Sequence, residues 1–520
     1  MRFRSGCIFT IVLFIASICR GYAQCPTRPA TGTVVNDAYS ISSQNGLLSA
    51  QFTMGQSVDT AGYTHYCYKY FAGNQLVEAP TLRVNPGDHL NLTVLDGIQS
   101  QNDSRMKMDM KPSAGPICGD GGTATVNSTN VHFHGMNVPP TCHQDDVINT
   151  LIQPGTGGFP YQIQIPTSEP PGLYWYHPHV HGFTEFQVNG GAAGALVVGG
   201  MEKYRPEVAG LTERVFVIRQ QFLVPWVPGP YQLSLDYQVA PVIGSKPIIQ
   251  MNAGESQFWR IANATLQNFL ELQVVVNGQP QPLELIALDG YPLGRTRKQN
   301  QILIPPAGRA EFIVAAPPSG ASASLITNTY ETGPTGNVDQ GQTLGDIELT
   351  SNAVASRMPK ASIVGSFQDL KFSNISDQAP TAQRKLYFSE EFGGTNGPIQ
   401  FYITVDGQPQ RVFDPNEKPA IVTKVGAVED WTIENRALET HAFHIHQIHF
   451  KLLEVDGKPA PNQDMLDTVT IPYWDGKGSY HSVKVRMDFR DPTTAGTFVF
   501  HCHILLHEDL GMMHKILVEP

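Results

Sequence analysis

The chain has 520 residues, with 35 Lys and Arg against 46 Asp and Glu, and carries a net charge of −11. That acidity argues against nucleic acid and anionic membrane surfaces as partners, and the length suits about three domains. Gly at 48 positions and Pro at 39 punctuate short alternating apolar runs, which predicts an all-β chain of sandwiches.

The chain opens with Arg2 and Arg4, an apolar run from Cys7 to Ile18, and then Gly21, Tyr22 and Ala23. This reads as a secretory signal over 1–23, so export to a periplasm or beyond the cell is expected. No other stretch approaches the ~18 apolar residues of a transmembrane helix, and no membrane span is expected. Cys7 and Cys19 leave with the signal, and Cys502 sits between two histidines. Cys25, Cys67, Cys118 and Cys142 remain, an even number that suits disulfides in an oxidising compartment. Of the three possible pairings, Cys25–Cys67 with Cys118–Cys142 is preferred, because the second would clamp a long loop beside the first His motif. Asn91, Asn102, Asn127, Asn263 and Asn374 lie in Asn-x-Ser/Thr sequons.

Predicted strands include 90–95, 162–165, 195–198, 214–218, 270–276, 301–304, 311–314 and 498–500. Breaks in the pattern place domains at 24–200, 201–355 and 356–520. The first contains a Gly/Ser/Asp-rich insertion in which Met106, Met108 and Met110 alternate with charged residues. Thioethers suit Cu(I), but an ordinary loop is the preferred reading of that segment.

Histidines then gather in four places. Residues 129–135 read TNVHFHG, giving His132 and His134, and CHQDDV follows with Asp145 and Asp146. Residues 175–182 read WYHPHVHG, giving His177, His179 and His181. The 201–355 stretch holds no such pair. Residues 439–446 read ETHAFHIH, giving Glu439, His441, His444 and His446, and 500–513 read FHCHILLHEDLGMM.

In a strand, successive side chains point to opposite faces. Cys502 therefore faces away from His501 and His503, and His441, at an odd offset, faces away from His444 and His446. Parity sorts the set into two groups. His441, Cys502 and His507, with a methionine ten residues past the cysteine, make the ligand set of a blue-copper electron-transfer site. His132, His134, His177, His179, His444, His446, His501 and His503 form the other group, enough imidazoles for about three ions. A zinc hydrolase would have no use for a cysteine centred between two histidines, and no HExxH helix motif is present. His65, His89, His143, His449, His481 and His514 are read as ordinary polar residues, and His181 as a structural or orienting one.

In this order, HxH, HxH, HxxHxH and HCHxxxHxxxxM, the four motifs resemble those of the multicopper oxidases, a group that includes laccases, bilirubin oxidases and bacterial cuprous or spore-coat oxidases. The resemblance spans essentially everything after residue 23. It implies three cupredoxin-like Greek-key β-sandwich domains, the middle one without copper ligands, and four copper ions. Type 1 copper would take His441, Cys502, His507 and, by family spacing, Met512 rather than Met513. Type 2 would take His132 and His444, and the type 3 pair His134, His177, His179, His446, His501 and His503.

The resemblance further implies that a reducing substrate gives single electrons to type 1 copper. Cys502 relays them to the three-copper cluster, where O2 is reduced to water. Glu508 would relay protons, and either Asp145 or Asp146 would orient water near type 2 copper, since this chain departs from the family's usual Asp-Gly there. Glu439 is a weaker acid candidate. An axial Met in place of Leu or Phe implies a modest oxidant. Laccase-like oxidation of phenols and other aromatics is expected, by a monomer. The alternative is a metal-ion oxidase acting on Cu(I), Fe(II) or Mn(II). A copper nitrite reductase needs too few histidines, and a non-enzymatic scaffold would have lost ligands.

Overall fold

Alternation along the chain makes half-buried strands. His89–Asp96, reading HLNLTVLD, buries Leu90, Leu92 and Val94 on one face, and Leu270–Val276 does the same with Leu270, Leu272, Val274 and Val276. The computed structural model describes residues 24–59, 62–98, 117–221, 232–353, 364–392 and 399–520. The signal-like segment 1–23 and the Met106, Met108 and Met110 segment lie outside them. Among the described residues no helix is long and apolar enough to cross a membrane.

The strands form three successive pairs of sheets. The first pair has five strands in each sheet, drawn from Ser40 to Val198; the second has seven and six, from Thr212 to Ala353; the third has seven and five, from Ala382 to Glu519. One parallel pairing recurs in all three. Leu47–Val58 lies beside His89–Asp96, Thr212–Gln221 beside Ser256–Ala264, and Ala382–Phe392 beside Val428–Asn435. Parallel neighbours cannot be joined by a tight hairpin, so each pair requires the chain to cross its sandwich. Each sandwich has its own apolar core. A further core of small residues, Ala193, Ala195, Ala262, Ala264 and Ala307 with Leu173 and Trp175, joins the first unit to the second.

Six strands and two short helices position the functional residues: β1 (His132–His134), β2 (Gly172–His177), α1 (Thr184–Asn189), β3 (Arg309–Ala315), β4 (His441–Ile445), β5 (Thr468–Ile471), β6 (Gly496–Cys502) and α2 (Leu505–Asp509). In the third unit, β6 pairs with β4 and β4 with β5, all antiparallel. In the first, β1 pairs with β2.

Cys25 is bonded to Cys67 and Cys118 to Cys142, the preferred pairing, and the second bond closes a 24-residue separation beside β1. A loop of that size stabilises by roughly 3 kcal/mol through the unfolded chain. The Asn263 sequon is closed to glycans in the folded chain. Its amide is fully buried and donates to the carbonyls of Asn268, Ile304 and Pro305.

One buried acid gives stability a pH dependence. Glu169 accepts from the backbone and side-chain nitrogens of Asn137 through Oε1, while Oε2 has no partner. Burial pushes its carboxyl up to about 7, so the native state holds a proton that the unfolded chain releases near pH ~4.3. Native stability therefore falls as pH rises from about 4.3 through 7. Glu169→Gln removes that decline. Between pH 5 and pH 8 the variant is expected to gain up to roughly 3 kcal/mol relative to the parent, read as a widening difference in Tm. A pH-independent difference would contradict it.

Candidate metal centres

The register of β4 against β6 sorts the ligands. Phe443 lies opposite Cys502, and His444 opposite His501. Directly opposed residues share a face. Cys502 therefore faces the side of Phe443 and His441, while His444 and His501 face the other side together. After β6 the single turn of α2 carries His507 back, and Cys502 Sγ ends 3.5 Å from His441 Nδ1 and 3.9 Å from His507 Nδ1. Met512 returns its carbonyl to the Cys502 N–H at 3.1 Å and packs in the same core as the cysteine. Met513 pairs with His501 and faces a different apolar cluster.

On the opposite face the other eight imidazoles converge. His179 Nε2 is 3.4 Å from His501 Nε2, which is 3.2 Å from His446 Nε2. The rings of His134, His177 and His503 lie 5.0–5.9 Å apart. His444 stacks on His134 at 4.0 Å, and His132 on His446 at 3.9 Å. The sequence pattern put each His pair on a strand, and here the structure differs. His179, His446 and His503 all fall just beyond the ends of β2, β4 and β6. Pro178 has no N–H to continue β2, so His179 is aimed by a turn. Its N–H is held by Asn130 Oδ1 at 2.6 Å.

The nitrogens facing outward are fixed by acceptors. His177 Nδ1 donates to the carbonyl of Pro178, His444 Nδ1 to that of Asp467, and His501 Nδ1 to that of Cys502, at 2.8–2.9 Å. A carbonyl only accepts, so those rings carry the proton on Nδ1 and turn a lone pair inward on Nε2. Nε2 of His132, His134, His177 and His444 is buried without a hydrogen-bond partner. Burial also pushes His177 and His444 down to about 3, and the other cluster imidazoles below their usual range, so they are neutral. Neutral imidazoles with convergent, unpaired nitrogens are costly in a dry interior and are what a metal ion requires.

The smaller site has the opposite polarity. Nδ1 of His441 and of His507 faces the sulfur, while their Nε2 atoms lie 3.4 Å from Glu390 Oε1 and 3.6 Å from Glu439 Oε2. Burial pushes the Cys502 thiol up, so a thiolate there needs a cation beside it. Two imidazoles, a buried thiol and a nearby Met fit copper.

The acids separate as well. Asp145 sets both carboxylate oxygens 3.0 Å from His132 Nδ1 and accepts from Phe133 N and from Gln447 Nε2. Asp146 turns instead to Asn149, accepting from its backbone and side-chain nitrogens. Of the two, Asp145 lies against His132 and Asp146 against Asn149. Asp145→Asn is expected to weaken copper retention at His132 by roughly 10–100-fold, read as loss of one copper EPR signal with the blue band kept. Glu508 is fully buried, its oxygens 3.4 Å from His179 Nε2 and 3.2 Å from His501 Nδ1. His181 stands apart, edge-on to Phe413 at 4.8 Å. Glu390, Asp467 and Arg309 had no signal in motif spacing and reach the site from distant strands or loops, whereas Gln447 directly follows His446.

Two multicopper oxidase family models match the chain, one over residues 124–203 and one over 392–520. The chain belongs to the multicopper oxidases. It is accordingly a copper-dependent oxidoreductase with dioxygen as acceptor. It is 24% identical to the multicopper oxidase mco of Staphylococcus aureus, over 92% of this chain and 88% of that protein. It is 23% identical to a laccase of Bacillus subtilis, over 68% of this chain and 71% of that one. Among solved structures, a multicopper oxidase from Campylobacter jejuni described as a metallo-oxidase overlays with a TM-score of 0.69 at 23% identity, covering 95% of this chain and 96% of that one. The McoA multicopper oxidase of Aquifex aeolicus gives 0.71 at 17%, covering 95% and 100%. These overlays identify the three sandwiches as cupredoxin-like.

Proposed function

We propose that this multicopper oxidase oxidises a phenol or similar aromatic one electron at a time and reduces O2 to water; His441, Cys502, His507 and Met512 would hold a type 1 copper, and the eight remaining imidazoles three further coppers. Type 2 copper falls to His132 and His444. The type 3 pair falls to His179, His446 and His501 on one ion, and to His134, His177 and His503 on the other. The observation carrying this reading is the convergence of eight neutral imidazoles on the face opposite Cys502. Copper, when bound, supplies the electron transfer and the oxygen chemistry.

The chain's own residues do the rest. Cys502 joins the two centres covalently through His501 and His503. Asp145 holds the His132 ring, with Gln447 fixing the carboxylate. Glu508 holds a proton beside His179 and His501, where oxygen reduction consumes protons. Burial excludes bulk water from both centres.

At the outer edge, Glu390 and Glu439 flank the outward nitrogens of the type 1 imidazoles. A phenol oxidised by one electron leaves as a phenoxyl radical and gives up its hydroxyl proton; burial and Glu390 push Glu439 up to about 8, so Glu390 is the carboxylate placed to accept it. The same pair supports a second reading, oxidation of a hard divalent ion such as Fe(II) or Mn(II), since oxygen donors suit those ions better than Cu(I). The two disulfides suit work outside the cytoplasm.

Oxygen uptake by copper-loaded protein with a phenol, Fe(II), Mn(II) and Cu(I) tests this. Phenol turnover reduced by roughly 100-fold or more in Glu390→Gln, with a smaller loss in Glu439→Gln, supports the first reading. Uptake driven by Fe(II) or Mn(II) and not by phenols supports the second. Uptake with Cu(I) alone overturns both.

A further inference from the structure

The unit between Thr212 and Ala353 supplies none of the convergent imidazoles, yet it sends a cation behind the larger cluster. Arg309, at the start of β3, is fully buried. Its Nη1 and Nη2 donate to Asp467 Oδ1 and Oδ2 at 2.8 and 2.5 Å, and its Nε to the Leu173 carbonyl on β2 at 3.1 Å. Nη1 also donates to the Ala307 carbonyl at 3.2 Å. Both of its hydrogens are then used, so its 3.3 Å approach to His134 Nδ1 is a packing contact with a fixed positive charge.

Asp467 just precedes β5. Its carbonyl accepts from His444 Nδ1 at 2.8 Å, and its carboxylate lies 3.8 Å from that nitrogen and 4.0 Å from His134 Nδ1. Thr468 Oγ1 donates to Asp467 Oδ1 at 2.9 Å and sits 3.3 Å from His444 Nδ1. Asp289, again from the second unit, accepts from Arg309 N at 2.9 Å and from the N–H groups of Asp467 and Thr468 at 3.2 and 3.3 Å. The packing leaves no slack. Any Cβ added at Gly135, next to His134, would collide with the Arg309 guanidinium and the Asp467 carboxylate.

We propose that Arg309 is a positioning residue of the trinuclear site, bracing the stacked rings of His134 and His444 from behind through Asp467. His134 comes from the first unit and His444 from the third, and a single guanidinium from the second reaches behind both. The unit without ligands thereby sets the separation of two ligands that belong to different coppers. The inference rests on the trinuclear reading above. A buried ion pair also holds units together, so the test must separate stability from ligand geometry. Lysine keeps the charge but cannot span both Asp467 oxygens and two carbonyls.

The experiment compares copper-loaded parent, Arg309→Lys, Thr468→Val and a control, Arg219→Lys. Arg219 is likewise buried in the second unit and donates to the Ala193 carbonyl at 2.7 Å. Copper per chain, the blue band, the type 2 EPR hyperfine splitting, the near-ultraviolet type 3 band and Tm are read together. Arg309→Lys is expected to leave the blue band intact, to alter the type 2 and type 3 signals, and to lower the copper affinity of the cluster by roughly 10–100-fold. Thr468→Val should show a smaller change of the same kind and decides the matter if Arg309→Lys does not accumulate. Arg219→Lys should shift only Tm. Cluster signals unchanged in Arg309→Lys or, failing that variant, in Thr468→Val, or changed equally in Arg219→Lys, would overturn the proposal alone. A fully copper-loaded parent without cluster signals would overturn the trinuclear reading and the inference with it.

Discussion

Cys502→Ser is expected to erase the blue absorption and to cut oxygen uptake by more than about 100-fold, while a copper EPR signal from the larger cluster persists. The sulfur lies between His441 Nδ1 and His507 Nδ1, and it is the atom that makes the site soft enough for copper in an electron-transfer role. Serine is nearly isosteric and keeps the backbone bond to Met512, so the core around residue 502 should survive. The loss must exceed the roughly 10–100-fold typical of removing an outer partner of a ligand, because the ligand itself and the covalent bridge to His501 and His503 both go. Retained blue colour in Cys502→Ser would remove the cysteine from the metal site. A simultaneous loss of all copper would show that the two centres do not assemble independently.

Stripping the metal with a chelator should lower Tm by about 10 °C or more and open the junction between the first and third units to proteases. His132, His134, His177 and His179 belong to one unit, and His444, His446, His501 and His503 to the other. Without copper, at least four buried Nε2 atoms have no partner, each costing roughly 1–3 kcal/mol. Metal binding energy is folding energy when the ligands come from separate parts of the chain. In a chain this size each 1 kcal/mol moves Tm by about 2–4 °C. Cleavage in metal-free protein should concentrate between the sandwiches, with the two disulfides still protecting the first. An unchanged Tm after complete copper removal would mean that the apolar and ionic contacts at the junction hold the units without it.

Much of this site is legible in the residues before any fold is known. Two-residue alternation separates Cys502 from His501 and His503, and the odd offset of His441 from His444 sends it to the other face. Both rules need only strand geometry. The register of β4 against β6 then turns the two parities into one, since opposing residues share a face. The disulfide pairing is the one preferred from the cysteine positions, and the choice of Met512 over Met513 is what the family resemblance implies.

Other features carry no local signal. Asp145 and Asp146 are chemically identical neighbours, and only the turn that holds them decides which carboxylate meets His132. Glu390 lies 51 residues before His441, so no motif could join them. Arg309 and Asp289 come from a stretch with no His pair at all. The sequence by itself determined the candidate ligands, their division between two faces and the metal their donor chemistry suits, because periodicity and donor chemistry act over a few bonds. Which acids and cations stand behind those ligands, and how three sandwiches meet around them, was decided only by tertiary structure, because long-range packing sets the distances over which buried charges act.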